Sequence, residues 1–115
     1  MIDDPSVSQH FVGKSESVRA TYDHLLEVVR RFGEVTEDPK KTSIHLVRES
    51  AFAGVATRRD ALILTLKAAK PIESARVHRA DQASANRWHM EIRLTDASDV
   101  DRELRTWIAD AYALA

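Results

Sequence analysis

Ala61-Leu62-Ile63-Leu64-Thr65-Leu66-Lys67-Ala68 puts Leu62, Leu64 and Leu66 on one side of an extended backbone and Thr65 and Lys67 on the other. A helical winding would turn Leu64 away from Leu62, so the period of two identifies a strand with one dry and one wet face. The same alternation runs from Asn86 to Leu94, where Trp88, Met90, Ile92 and Leu94 interleave with Arg87, His89, Glu91 and Arg93. Thr42 to Val47 is β-branched and apolar, and Ala51 to Thr57 is a weaker run in which Phe52 falls out of step with Ala53 and Val55, leaving its register open. Arg58-Arg59-Asp60 forms a tight connection, Pro71 interrupts the chain after Ala69, and Ala75 to Arg79 reads as a short strand before a polar loop from Ala80 to Ala85. Connections this short make the strands mostly antiparallel.

Helices flank this region. Val18, Tyr22, Leu25, Val29 and Phe32 recur at spacings of four and three, Ser15 stands where an N-cap belongs, and Gly33 supplies a stop, which predicts a helix over 16–32. A second helix follows Ser98, read as its cap with Asp101 three residues on, and Val100, Leu104, Trp107, Ile108 and Ala111 form its inner stripe. Residues 1–9 read as a flexible leader, with a helical turn near Val7 to Val12 closed by Gly13, and 10–115 as one domain. The expected architecture is α+β: a two-layer sandwich, an antiparallel sheet of four to six strands with the N-terminal and C-terminal helices on one face.

Charge follows the same division. Residues 40–93 hold eleven Lys and Arg against five Asp and Glu, while the flanks hold six against thirteen, so a net charge of −1 conceals a division from which one basic and one acidic layer are expected. No cysteine is present, which excludes disulfides and thiolate metal sites. No secretory signal and no apolar run of membrane-spanning length occurs, and a cytoplasmic location is expected.

If both helices cover the leucine side, period-two counting lines the reverse with His45, Lys67, Arg76, His78, Arg87, His89 and Arg93, beside Thr65 and Glu91. Such charges also serve simply to keep a half-exposed sheet soluble, while Val47 and Ile63 on the same side suggest partial cover, for which a homodimer is the simplest source. An anion or a nucleic acid is the sharper ligand, although no aromatic residue projects among the cations to stack on bases. His45, His78 and His89 lack the spacing of a metal site, and no metal or other cofactor is expected. Gly-rich phosphate loops and nucleophile elbows are missing, so a metal-dependent enzyme is the least favoured alternative to a non-catalytic binding or self-association module.

The order of several short pieces carries a family resemblance. They are His10-Phe11-Val12-Gly13-Lys14, Val18 to Asp23, Lys41-Thr42-Ser43-Ile44, Phe52-Ala53-Gly54-Val55, Leu62 to Leu66, Arg87-Trp88-His89, Ser98 to Asp101 and Ala111-Tyr112. Together they resemble a bacterial family known as domain of unknown function 5655, from His10 to Ala115. The resemblance implies a stand-alone or C-terminal bacterial domain with no assigned activity or catalytic residues. Similar domains can follow uncharacterised or nuclease-like segments, which raises the expectation of a nucleic-acid association.

Overall fold

A computed structural model describes residues 5–115. The elements run α1 (Pro5–Gln9), α2 (Glu16–Arg30), β1 (Thr36–Pro39), β2 (Ile44–Val47), β3 (Ala51–Thr57), β4 (Leu62–Ala68), β5 (Val77–Ser84), β6 (Arg87–Leu94), a 3-10 turn (Ala97–Asp99) and α3 (Arg102–Ala113). All strand pairs are antiparallel, in the order β1-β2-β3-β4-β6-β5. No helix among the described residues is long and apolar enough to cross a membrane.

The alternation in β4 is realised in full: Leu62, Leu64 and Leu66 are completely buried, while Ile63, Thr65 and Lys67 are half-exposed. Ile44 and Leu46 of β2, Val55 of β3 and Met90, Ile92 and Leu94 of β6 join them in one core with Val18, Tyr22, Leu25 and Val29 of α2 and Leu104, Ile108 and Ala111 of α3. Both long helices therefore cover the same sheet face. Each fully buried Leu, Ile or Val contributes on the order of 1.5–3 kcal/mol of transfer free energy, so this one-sided burial sets which face stays wet.

Of the leader expected over 1–9, residues 1–4 lie outside the described residues, and 5–9 form α1, whose Val7 is wholly buried. Three local expectations are corrected. Helix α2 ends at Arg30, and Phe32 leaves its inner face to pack on Tyr112 of α3 at 6.0 Å. The polar loop expected from Ala80 to Ala85 is mostly strand, because β5 is an edge with little to bury and needs no apolar alternation. Ser98 caps nothing: Asp96 and Asp99 close a capping box around the 3-10 turn, and Asp101 caps α3 by accepting from Leu104 N at 3.0 Å.

The uncertain register of β3 has a physical cause. The β2–β3 ladder slips between Leu46 and Val47, which pair with Ala53 and Ala51, so Phe52 is an extra residue in a β-bulge. The bulge turns both Phe52 and Ala53 inward, and the Phe52 ring meets Tyr112 edge-on at 5.2 Å. The Arg48 guanidinium lies 4.5 Å above that tyrosine ring and donates to its backbone carbonyl.

Arg76 departs most from expectation. It lies in the crossover from β4 to β5, which passes over β6 on the helical side, where Ile72 N donates to Met90 Sδ at 3.3 Å. Its guanidinium donates to both Asp101 carboxylate oxygens (2.9 and 3.1 Å), to Glu103 and to the Asp99 carbonyl, and it faces the Trp107 ring. Arg76 thus anchors the start of α3 and takes no part in the open face. Period-two counting misplaced it because the residue precedes the strand.

Two outcomes follow from this packing. A Cβ at Gly33, whose φ is +154°, would run into the Tyr112 hydroxyl, so Gly33→Ala lowers stability by about 1–3 kcal/mol in urea titrations; an unchanged midpoint contradicts that contact. The Leu104 amide, and then the Arg76 guanidinium, hold the Asp101 carboxyl below the usual carboxylate range. A depressed folded-state pKa adds stability above the unfolded value of about 3.9 and loses it as pH falls through the folded value. Asp101→Asn, which keeps a capping oxygen, shrinks the loss of stability on acidification below about pH 4; an identical acid profile contradicts the assignment.

Candidate anion site on the open sheet face

Directly opposed residues trace rows across the exposed side. Asp38, His45, Gly54, Thr65 and Glu91 form one row over β1, β2, β3, β4 and β6; Lys67, His89 and Asp81 continue the next over β4, β6 and β5. Gly54 carries no side chain between His45 and Thr65, where an added Cβ would meet His45 Cδ2 at 3.9 Å and Thr65 Cβ at 4.0 Å. The gap deepens into a shallow concavity of ≈ 260 Å³, whose polar rim is Ser43, His45, Thr65, Lys67 and His89. Its floor is the small-residue run of β3, and no carboxylate among the described residues lines it.

Acids do occur on this face, two paired with a permanent cation and one with an imidazole. Asp38 pairs with Lys40 at 2.9 Å, Asp81 with Arg79 at 2.8 Å, and Glu91 with His78 at 3.0 Å. Lys67 has no ion-pair partner among the described residues; its Nζ donates only to Ser50 Oγ at 3.2 Å. The side chains of His45, Thr65 and His89 make no hydrogen bond among the described residues. Positive charge and unused hydrogen-bonding groups therefore converge in a concavity that no carboxylate of the described residues lines.

The seven residues expected to line the face separate accordingly. His45, Lys67 and His89 meet at the concavity. Arg93 is on the same face, opposite Ile63, and His78 is there too, engaged with Glu91. Arg87 sits at the far end of β6, opposite Ser84, where it donates to the neighbouring Asn86 carbonyl. Arg76 is excluded by its place under α3. Gly54 was the missed contributor, and its signal was a glycine inside a strand pattern, which marks a close approach or a gap. Asp38 was missed because Thr36 to Pro39 has no strand-like composition; β1 forms by pairing with β2 alone. No three His, Cys, Asp or Glu side chains gather to ligate a metal among the described residues.

What this arrangement can do chemically is hold negative charge. It offers an ammonium, two imidazoles and hydroxyls, and it lacks a nucleophile oriented by a neighbouring base. No curated protein and no solved structure significantly matches the chain. The model of one family, described as a domain of unknown function (DUF5655), matches residues 7–115, and the chain belongs to that family.

Proposed function

We propose that the protein is a non-catalytic binding module that holds an anionic group, of phosphate or carboxylate type, in the concavity around Gly54. The observation that carries this reading is the lining of His45, Thr65, Lys67 and His89, free of carboxylates among the described residues, beside Asp38 and Asp81, which pair with their own cations. An ammonium and imidazoles hold an oxyanion through charge-assisted hydrogen bonds, and the hydroxyls add neutral ones. Being shallow, the site fits one charged group projecting from a larger partner and cannot enclose a whole small molecule.

Titration with inorganic phosphate followed by amide NMR tests it. Shifts are expected at Gly54, Thr65 and Lys67. Lys67→Ala weakens binding about 3- to 10-fold, and Gly54→Val fills the gap and weakens it further. Shifts scattered over the helices, or equal affinity in Lys67→Ala, would reject the site.

A second reading rests on Ala56 and Ile63, which oppose each other on the same face and give it a half-exposed apolar strip. Two copies of the protein meeting across that strip would cover it. Light scattering then returns about twice 13.0 kDa, and Ile63→Lys returns the monomer mass; a monomer at millimolar concentration ends this reading.

A further inference from the structure

The sheet has a second basic feature, at the end of its strands and apart from the concavity. The β1–β2 turn carries Lys40 and Lys41, and the β3–β4 turn carries Arg58 and Arg59; antiparallel topology brings both turns to one end. The loop between α1 and α2 ties them together. His10 Nε2 lies 2.9 Å from the Lys40 carbonyl, Thr57 Oγ1 donates to the His10 carbonyl at 2.6 Å, and Ser15 N donates to the Arg59 carbonyl at 2.8 Å. That loop adds Lys14. Three chain segments, remote in sequence, are thus pinned into one rim with five permanent cations.

Among the described residues, little neutralises them. Asp38 pairs with Lys40, and Asp60 lies within the second turn. Glu16, Asp96 and Asp99 belong to the helical layer, and Asp96 and Asp99 are already spent on the capping box. Lys14, Lys41, Arg58 and Arg59 form no ion pair among the described residues, and all but Lys14 are exposed. Only backbone carbonyls, not side chains, of Lys40 and Arg59 hold the loop, so the Arg59 guanidinium is left to solvent while the Lys40 ammonium is shared with Asp38.

We propose that the rim of Lys14, Lys40, Lys41, Arg58 and Arg59 is a contact surface for the phosphate backbone of double-helical nucleic acid. Two turns separated by two strand spacings stand about 10 Å apart. Each strand of a duplex presents one phosphate per about 3.4 Å of axis, so the rim spans about three. A single strand would need stacking platforms, and the nearest aromatic, Phe11, is committed to Tyr22 at 5.1 Å beneath Arg19. A lipid surface would need an apolar anchor, and beside the rim only Val12 is a strongly exposed large apolar side chain among the described residues. Backbone contact without base contact gives salt-dependent, sequence-independent binding.

Anisotropy of a labelled DNA duplex, read across a salt series, tests the inference. Three phosphate contacts give a log–log slope near −2.7, which is about a 40-fold loss of affinity between 50 and 200 mM salt. Arg58→Ala with Arg59→Ala reduces the slope by about two, while Arg102→Ala with Arg105→Ala, exposed on α3, leaves it unchanged. Thermal melting of each variant confirms an intact fold, expected because the rim side chains are outside the core. Equal loss in both double variants, or no loss in the first, overturns the proposal. Rim-dependent binding to phosphatidylserine vesicles without duplex binding overturns it as well. Lys67→Ala separates the two sites: if duplex affinity falls with Lys67 and not with the arginines, the sheet face carries the contact and the rim does not. Phosphate shifts at Gly54 are indifferent to either result.

Discussion

One-sided burial of the sheet is the constraint on which the molecule depends. Side chains on a strand alternate strictly, so burying Leu62, Leu64 and Leu66 under two helices commits Ile63, Thr65 and Lys67 to the reverse. Antiparallel pairing transmits that choice to every neighbour: His45 must follow Gly54, and His89 must follow Lys67. The position of the cations is thus a consequence of where the leucines go. A register slip of one residue in β4 would bury Lys67 and expose the core, a cost of many kcal/mol that holds the face in place.

Helix α3 is fastened at both ends by contacts that bypass the sheet alternation. At its start Arg76 gathers Asp101, Glu103 and the Asp99 carbonyl; at its end Tyr112 is enclosed by Phe32, Phe52 and Arg48, and its hydroxyl donates to the Glu34 carbonyl. The bulge at Phe52 serves this second fastening, because without the extra residue that ring would point to the open face. A comparable polar tie lies beneath β1, where the buried Tyr22 hydroxyl donates to Glu37 and has its own ionisation pushed upward by burial and by that carboxylate. These ties are local in space and distant in sequence.

That difference explains what the sequence disclosed. Period-two and helical spacing identified β4, β6 and α2, the layer order, and the facing of His45, Lys67 and His89, because each depends on a repeating pattern. Features fixed by one residue meeting another far along the chain escaped it. The edge strands β1 and β5 have no burial pattern to read; Arg76 looked like a strand residue until the crossover carried it under α3; the Phe52 bulge appears only as a broken alternation. The strand-end rim was equally hidden, since Lys14, Lys40 and Arg59 become neighbours only through the backbone ties of His10, Ser15 and Thr57.

The charge division along the chain does not become a division between layers: the six strands carry four basic and four acidic side chains, and the excess positive charge of residues 40–93 lies in the segments that connect them. The field at the concavity bears on the sign of whatever approaches it. It can be measured residue by residue from the paramagnetic relaxation that anionic and cationic nitroxides of equal size induce in amide and side-chain protons. A cationic concavity requires the anionic probe to relax protons of His45, Thr65, Lys67 and His89 more strongly than the cationic one. Equal relaxation by the two probes at those residues, or stronger relaxation there by the cationic probe, would contradict it.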